Sequence, residues 1–402
     1  MKILLVTEWF LPHSGGMEII LYNVIRHSRE DTYIVFSPAM PGCQDFDKKQ
    51  DFGMIRSQIW ARRGIGGTNI GVRLYTLSCL ILKSLKLISA HKVDIVFFSS
   101  LHLYMGIWAL ALKSFTQKPC FAFVFAEGID RTLSDRRIGV KTLAQFGMLA
   151  LRKMDGLIAG SNYTVNKLLG WKVPAERIIK NLPCVDLEKF KPGLEYEDIL
   201  RRHGIENKKI ILTVSRLEKS KGIDLIIKAL PDILKQLPDA VYLIVGSGRE
   251  QGNLHLLTKN LNISDKVIFV GDVSGYAVDS DLPRYYNACD VFIMASHVVK
   301  SWNETEGFGI VFLEASACGK PVIGGRSGGT PDAIIDGVTG VLIDPEDKEQ
   351  IVNSIINLLT NRPLAESLGR NGRLRAEREF SWDKYVSNIR NAALKIRSNI
   401  DR

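Results

Sequence analysis

Short uninterrupted apolar runs alternate along the chain with longer segments in which apolar residues recur every three to four positions. Runs such as Ile3–Thr7 and Ile210–Ser215 are rich in Val, Ile and Leu, which is typical of parallel strands covered by helices on both faces. Because such runs alternate with helical segments, the pattern predicts an α/β fold on parallel sheets. The predicted strands are Ile3–Thr7, Tyr33–Ser37, Asp94–Ser99, Cys120–Ala126, Gly156–Gly160 and Ile178–Leu182, followed by Ile210–Ser215, Val241–Gly246, Val267–Val270, Val291–Ala295, Pro321–Gly324 and Gly340–Ile343.

Two series of strands and helices follow each other in the 402 residues, so we predict two doubly wound domains. The boundary is expected near Pro183–Gly204, an acidic stretch interrupted by proline and glycine. We therefore assign residues 1–190 to the first domain and residues 191–380 to the second. A final helix is predicted from about Trp382 to Ile396.

The two halves differ in charge. The formal net charge is +10, and all of the excess lies in residues 1–194, which hold 26 Lys and Arg against 15 Asp and Glu. The segment Arg73–Ala90 combines Leu and Ile with cations, which indicates a basic amphipathic helix that attracts anionic lipid. A packed helix with a solvated basic face is the alternative interpretation. The positions assigned to a membrane- or acceptor-facing surface are Arg62, Arg63, Arg73, Lys83 and Lys86.

Targeting and metal-binding signals are weak. The first apolar stretch is too short for a signal peptide, and no apolar run reaches the about 18 residues of a membrane span, so we expect a cytoplasmic protein. The six cysteines form no Cys-x-x-Cys pair, so no structural metal is expected. Asp279-Ser280-Asp281 imitates a metal-binding Asp-x-Asp motif, but it precedes Leu282-Pro283, which favours Asp281 as a helix cap. No nucleic-acid-binding motif is visible.

Glycines and cations follow several predicted strands, where ligands of open α/β sheets bind. Gly15-Gly16 precedes a helical segment and allows a ligand to approach the backbone; a plain tight turn is the alternative. Arg216 and Lys221 flank a strand-to-helix turn, an arrangement suited to a diphosphate, although a solvated loop would look similar. Gly246 lies in a second glycine turn, which we interpret as lining the same site.

Glu306 and Glu314 are separated by seven residues and flank a glycine-rich helix start. At that spacing the two carboxylates cannot share a proton, but they can hold hydroxyls at the two ends of an elongated ligand. The backbone N–H groups at the helix start can bind a phosphate between them. The alternative is one glutamate favoured by the helix dipole and one solvated glutamate. The residues at this helix start are Phe308, Gly309, Ile310 and Val311.

The motifs that carry a resemblance are, in chain order, Gly15-Gly16 with Glu18, Arg216 to Lys221-Gly222, Glu306 to Glu314, and Gly328-Gly329. Together they resemble the large family 4 type of retaining glycosyltransferases, which includes bacterial phosphatidylinositol mannosyltransferases, sucrose-phosphate synthases and lipopolysaccharide glucosyltransferases. The resemblance implies the GT-B fold, with two Rossmann-like, doubly wound parallel-sheet domains facing a cleft. It also implies that residues 381–402 form a helix that crosses back to the first domain.

The resemblance further implies a nucleotide-activated donor, a UDP-, GDP- or ADP-sugar, bound by the second domain without a metal or other cofactor. Arg216 and Lys221 would neutralise the departing diphosphate, and N–H groups of Phe308 to Val311 would add to this. Glu306 would bind the sugar hydroxyls and Glu314 the ribose diol. Gly16 would approach from the first domain when the cleft closes.

Two features depart from the family pattern. Where the family commonly has a His before a Gly in the first domain, this chain has Ala126-Glu127-Gly128, so that Glu127 or, alternatively, Ala126 takes the place of the His. We include Glu127 among the catalytic candidates because it can still accept a hydrogen bond from the sugar. A long insert, His297–Thr305, precedes Glu306 and is expected to border the donor or acceptor pocket.

The sequence thus favours a retaining, metal-independent hexosyltransferase that acts on a lipid, lipid-linked or other glycan acceptor. The charged first half favours peripheral contact with the inner face of the cell membrane. Two alternatives remain open at this point: a GT-B sugar-nucleotide epimerase, and a nucleotide-sugar-binding subunit without catalysis.

Overall fold

The computed structural model describes residues 1–12, 16–63, 70–101, 104–124, 138–273, 281–299 and 305–400. It divides into two compact units: unit 1 is Met1–Leu182 with Trp382–Arg402, and unit 2 is Pro183–Ser381. Residues 183–190, which we assigned to the first domain from sequence, therefore belong to unit 2. The reason is local, because Val185 is buried there and its amide donates to the Phe380 carbonyl (3.2 Å).

Unit 1 is built on a seven-stranded sheet in which all neighbouring strands are parallel. The strand order is β3-β2-β1-β4-β5-β6-β7. At its centre Leu4 lies opposite Ile34 on one side and Val96 on the other, and all three are buried. The strands are β1 (Lys2–Val6), β2 (Thr32–Pro38), β3 (Gly53–Ser57), β4 (Ile95–Phe98), β5 (Cys120–Val124), β6 (Gly156–Ala159) and β7 (Ile178–Lys180).

Helices cover this sheet, and the last helix of the chain is one of them. That helix, α16 (Trp382–Ile400), is tied to unit 1 by an Asn181 side-chain hydrogen bond to the Tyr385 carbonyl (3.0 Å) and by an Arg390–Glu30 ion pair (2.7 Å). The other described helices of unit 1 are α1 (Gly16–His27), α2 (Cys43–Asp47), α3 (Gln58–Arg63), α4 (Ile70–His91), α5 (Tyr104–Thr116), α6 (Ile138–Lys153) and α7 (Asn162–Gly170).

Unit 2 carries a six-stranded parallel sheet of order β10-β9-β8-β11-β12-β13. Its strands are β8 (Lys209–Val214), β9 (Ala240–Val245), β10 (Val267–Gly271), β11 (Val291–Met294), β12 (Val322–Gly325) and β13 (Val341–Ile343). Its helices are α8 (Glu197–His203), α9 (Ile223–Gln236), α10 (Gln251–Asn260), α11 (Leu282–Ala288), α12 (Ile310–Ala317), α13 (Thr330–Ala333), α14 (Lys348–Thr360) and α15 (Arg362–Glu379).

Both units are doubly wound, as the sequence predicts, and every predicted strand has an observed counterpart. The strand that the sequence analysis missed is β3, which lies at the edge of the first sheet and is only partly buried, so that it lacks the continuous apolar run of the others. The final helix begins at Trp382 as expected and extends four residues beyond the predicted Ile396. Among the described helices, none is both long enough and apolar enough to cross a membrane.

The strand order reverses between β1 and β4 in unit 1 and between β8 and β11 in unit 2. In each sheet the second and third strands lie on one side of the first strand, and the later strands are added on its other side. Ligands of open α/β sheets bind outside the carboxyl ends of the strands at such a reversal. In unit 2 this places the region of interest after β8 and β11, where Ser215 to Gly222 and Ala295 to Val299 follow the strands.

Candidate functional site

The loops at the carboxyl ends of β8, β9, β11 and β12 pack against one another backbone to backbone. Gly222 has φ +68°, and a Cβ there would lie 2.0 Å from the Ala295 carbonyl oxygen. A Cβ at Gly246 would lie equally close, at 2.0 Å, to the carbonyl oxygen of Ser215. No side chain fits at either contact, so glycine is required for these loops to converge. The predicted glycine turn at Gly246 therefore has a structural role at this edge of the sheet.

Lys221 and Glu306 form an ion pair at the centre of this region. The Lys221 Nζ lies 2.8 Å from the Glu306 Oε2, and the two side chains are only 12% and 13% exposed. Burial opposes the charged form of Glu306, but the charge and hydrogen bond of Lys221 outweigh it and hold the pKa of this carboxyl below its ordinary value. The Phe308 amide and the charge of Arg216 act in the same direction. Glu306 is therefore an anion at neutral pH.

Glu306 is positioned by its main chain as well as by Lys221. The Gly329 amide donates to the Glu306 carbonyl (2.8 Å), and the Thr305 hydroxyl lies 3.0 Å from that of Ser327. Gly328 has φ +55°, and a Cβ there would lie 2.1 Å from the same Glu306 oxygen. The loop from Ser327 to Gly329 thus holds the Glu306 backbone, a function that the sequence motif alone does not reveal.

The predicted helix start is observed, one residue later than expected. α12 begins at Ile310, and Gly309 stands at its N-cap with φ +89°, where the Phe312 ring leaves no room for a side chain. The N–H groups of a first helical turn have no acceptor within the helix, so those of Ile310 and Val311 are available to an anion. The amide of Phe308 instead donates to Glu306 Oε1 (3.4 Å).

Glu314 lies one turn into α12 and is 2% exposed. Its Oε2 accepts a hydrogen bond of 2.6 Å from the Tyr286 hydroxyl on α11. A carboxylate that is buried to this degree needs such a partner. The interpretation of Glu314 as a solvated glutamate is therefore wrong, because the helix turns its side chain into the protein. Sequence reasoning missed Tyr286, which looks like an ordinary core tyrosine.

The remaining residues predicted for the donor site are Arg216, Gly16, Gly15 and Glu127. Arg216 follows β8 directly, is exposed, and is close enough for its charge to act on Glu306. Gly16 is the first residue of α1 in unit 1, with open space around the position of a Cβ. Gly15 and Glu127 lie outside the described residues, as does most of the insert before Glu306.

Four buried polar atoms near these loops have no hydrogen-bond partner in the described part of the chain: Ser215 Oγ, Ser296 Oγ, His297 Nδ1 and Thr330 Oγ1. A buried polar atom without a partner costs about 1–3 kcal/mol. Three of the four lie directly after β8 and β11. Their clustering at the carboxyl ends of the strands supports this edge as a binding region for a polar ligand.

Of the motif Asp279-Ser280-Asp281, only Asp281 lies within the described residues. Asp281 occupies the N-cap position of α11, but its carboxylate does not cap the helix, so the predicted capping role is wrong. Instead it accepts hydrogen bonds from Arg202 (3.1 Å) and Arg284 (2.8 Å), which neutralise it more effectively than backbone amides would. Within the ranges that the structure describes, no group of three or more His, Cys, Asp or Glu residues could hold a metal.

The predicted basic surface of unit 1 centres on α4. Arg73 is half-buried and donates to the Tyr104 hydroxyl (2.7 Å), so it stabilises the contact with α5 rather than forming part of an open basic face. Lys83 and Lys86 are exposed, and Lys83 Nζ lies 5.5 Å from the Phe36 ring centroid. Leu82 beside them is 60% exposed. Arg62 and Arg63 end α3, and their side chains are outside the description.

Known proteins share both sequence and fold with this chain. Residues 195–375, most of unit 2, match the family of glycosyl transferases group 1. The GDP-mannose-dependent alpha-(1-6)-phosphatidylinositol monomannoside mannosyltransferase of Mycolicibacterium smegmatis is 28% identical over 387 residues, which are 94% of this chain and 95% of the relative.

Solved structures show the same fold. HepE of Anabaena in complex with UDP-glucose superposes with a TM-score of 0.79 at 19% identity, over 98% of this chain and all of HepE. Sucrose-phosphate synthase of Thermosynechococcus elongatus superposes with a TM-score of 0.78 at 21% identity, over 99% of both chains. With two parallel-sheet units of seven and six strands, the chain has the GT-B fold. The chain is a glycosyltransferase, and its residues 195–375 form a glycosyl transferases group 1 domain.

Proposed function

We propose that the protein transfers a hexose from a nucleoside-diphosphate sugar to a lipid or lipid-linked acceptor, with retention of anomeric configuration and without a metal ion. The observation that carries the proposal is the buried Lys221–Glu306 ion pair at the carboxyl edge of the unit 2 sheet. The pair combines a cation for a diphosphate with an anion for sugar hydroxyls. It lies beside a helix start that can bind phosphate.

In the proposed reaction an acceptor hydroxyl bonds to the anomeric carbon while the bond from that carbon to the diphosphate oxygen breaks. The electron pair of the broken bond stays on the diphosphate, which takes up the proton of the acceptor hydroxyl. Lys221 and Arg216 stabilise the charge that develops on the leaving group. Attack on the face that the leaving group occupies requires no nucleophile from the protein. Catalysis then consists of placement and charge stabilisation.

Glu306 places the donor sugar in this scheme. Because the pKa of Glu306 is held below its ordinary value, the carboxylate accepts hydrogen bonds from hydroxyl groups throughout the neutral pH range. Its main chain is fixed by the loop from Ser327 to Gly329, which limits its movement when the donor binds. Glu314 is assigned to the ribose diol of the same donor.

The first donor to test is GDP-mannose. The mycobacterial relative, which matches nearly the full length of the chain, is named as a GDP-mannose-dependent enzyme. UDP-glucose is the second candidate, since HepE was solved with it, but the sequence identity to HepE is lower. The name of the same mycobacterial relative supports a phosphatidylinositol glycolipid as the acceptor class.

For the acceptor side we propose that unit 1 contacts anionic membrane through α4. Exposed Leu82 can enter the interface while Lys83 and Lys86 approach lipid phosphates. The side of α4 that packs on the sheet keeps Leu77 and Leu80 buried, so the exposed leucine is not needed for the core.

A donor panel tests the proposal. The purified protein is incubated with GDP-mannose, UDP-glucose and ADP-glucose, each with a phosphatidylinositol mannoside acceptor in vesicles, and the released nucleotide and the glycolipid product are measured. We expect one donor to be consumed at least about tenfold faster than the others, with an α-linked product. A β-linked product would refute retention, and release of no nucleotide from any donor would refute the transferase assignment.

A further inference from the structure

The carboxylate of Glu314 is held by a buried tyrosine. Tyr286 is fully buried, and its hydroxyl lies 2.6 Å from Glu314 Oε2. A hydrogen bond from a hydroxyl to a carboxylate at this distance is a strong, charge-assisted one. The bond fixes the direction of the carboxylate plane, in which Oε1 is the second acceptor atom.

The Tyr286 ring is itself held between aromatic side chains. Its centroid lies 5.8 Å from that of Phe190 and 5.6 Å from that of Phe292. Phe292 in turn contacts Phe312 in an edge-to-face arrangement (5.7 Å), and Phe312 packs against the Gly309 N-cap of α12. The tyrosine therefore has little rotational freedom, and its position is coupled to the helix start that carries the donor-site amides.

A lysine and a buried thiol lie within electrostatic reach of Glu314. Lys189 and Glu314 attract each other: burial is the main influence and lowers the pKa of Lys189, but the carboxylate acts against that decrease. Glu314 also contributes to raising the pKa of the buried Cys318 thiol, after the larger effect of burial. Burying a carboxylate in such surroundings costs free energy that packing alone does not offset.

We propose that Tyr286 is a positioning residue that aims Glu314 at the two ribose hydroxyls of the donor nucleotide, an inference that rests on the proposed function. Two vicinal hydroxyls can donate to one carboxylate only if its plane is correctly oriented. Without the tyrosine hydroxyl, the carboxylate loses its fixed direction and a buried partner. The consequence is a loss of affinity that is confined to the ribose end of the ligand.

The test is the affinity of Tyr286→Phe for GDP, UDP and ADP, compared with their 2′,3′-dideoxy analogues, by calorimetry. For the nucleotide that the wild type binds, we expect binding to weaken by about tenfold in the variant, the effect of losing about 1.4 kcal/mol. The dideoxy analogue lacks the diol, so its affinity should be equal in the two proteins. A residue with a merely structural role would weaken both ligands alike.

Tyr285→Phe is the matched control. Tyr285 is the adjacent residue on α11 and is also buried, but its hydroxyl lies 3.0 Å from His203 Nε2, away from Glu314. We expect this variant to bind all of these nucleotides as the wild type does. Thermal melting of both variants verifies that they fold. If Tyr286→Phe does not fold, Glu314→Gln provides the second test, with the same selective loss expected for the ribonucleotide.

The possible outcomes distinguish a failure of the proposed role of Tyr286 from a failure of the proposed function. The role of Tyr286 would be overturned if Tyr286→Phe bound the ribonucleotide and its dideoxy analogue equally more weakly, or if it bound both as tightly as the wild type does. It would also be overturned if the wild type itself bound the ribonucleotide and the dideoxy analogue with equal affinity. A wild type that binds none of GDP, UDP and ADP would instead refute the proposed function.

Discussion

Replacing Gly328 by alanine should displace Glu306 without removing any group from it. A Cβ at position 328 would lie 2.1 Å from the Glu306 carbonyl oxygen, whereas real Cβ atoms essentially never lie closer than 3.0 Å to another atom. The two segments must therefore separate by about 1 Å, because neither atom belongs to a flexible side chain. This separation breaks or weakens the Gly329–Glu306 backbone hydrogen bond of 2.8 Å.

The magnitude follows from two separate effects. Alanine at φ +55° carries a backbone cost of roughly 1–2 kcal/mol, which lowers the free energy of unfolding. A displacement of about 1 Å at a group that positions substrate can reduce the rate about 100-fold. The transfer rate should therefore fall by much more than the loss of stability explains.

Gly337→Ala separates these effects. Gly337 is in the same unit and has φ +71°, but nothing lies within 4 Å of the position of its Cβ. This control has the same kind of backbone cost and displaces no neighbour. The assay compares kcat/KM for sugar transfer, the affinity for free nucleoside diphosphate and the Tm of the two variants.

We expect kcat/KM to fall about 100-fold in Gly328→Ala, with little change in nucleotide affinity, and to stay near the wild-type value in Gly337→Ala. Transfer by Gly328→Ala within about threefold of the control would refute the claim that this loop positions Glu306.

Three further predictions concern charge, metal and membrane. In Lys221→Met, burial should raise the pKa of Glu306, so the Tm of this variant should increase as the pH falls from 7 towards 5. The Tm of the wild type should not increase over this range, because the pKa of its Glu306 is depressed and the associated loss of stability occurs at lower pH. Parallel pH profiles would contradict the ion pair. Transfer should be unchanged in excess EDTA, measured as released nucleotide, and a strict need for Mg²⁺ or Mn²⁺ would count against metal independence. In flotation with anionic vesicles at low salt, Leu82→Asp should bind at least about tenfold more weakly than the wild type. The control Leu256→Asp, which changes a similarly exposed leucine on α10, should bind as the wild type does. Equal binding by all three proteins would argue against the α4 surface.

The fold follows from the sequence where burial is complete. The strands of both sheets were recognisable because residues such as Ile3–Val6 and Ile210–Val214 are apolar at nearly all successive positions, as strands covered on both faces require. β3 was missed because an edge strand is covered less, and Gly53–Ser57 shows no continuous run.

The candidate site follows from the sequence only in part. Lys221 and Glu306 were each recognisable from their position after a strand or before a helix, but their pairing across 85 residues depends on how β8 and β11 adjoin. Neither Tyr286 nor the contact of Gly328 with Glu306 leaves a signal in one sequence, because each depends on a distance between elements that are remote along the chain.

The most direct test of the central claim is sugar transfer by the wild type and by Glu306→Gln, with labelled GDP-mannose and, separately, labelled UDP-glucose, in the presence of phosphatidylinositol mannoside vesicles. Glu306→Gln keeps the size of the side chain and removes the charge that Lys221 pairs with. The account predicts labelled glycolipid from one donor with the wild type, and a loss of about 100-fold or more in the variant, whose fold is verified by its Tm. Equal transfer by the two proteins would contradict it.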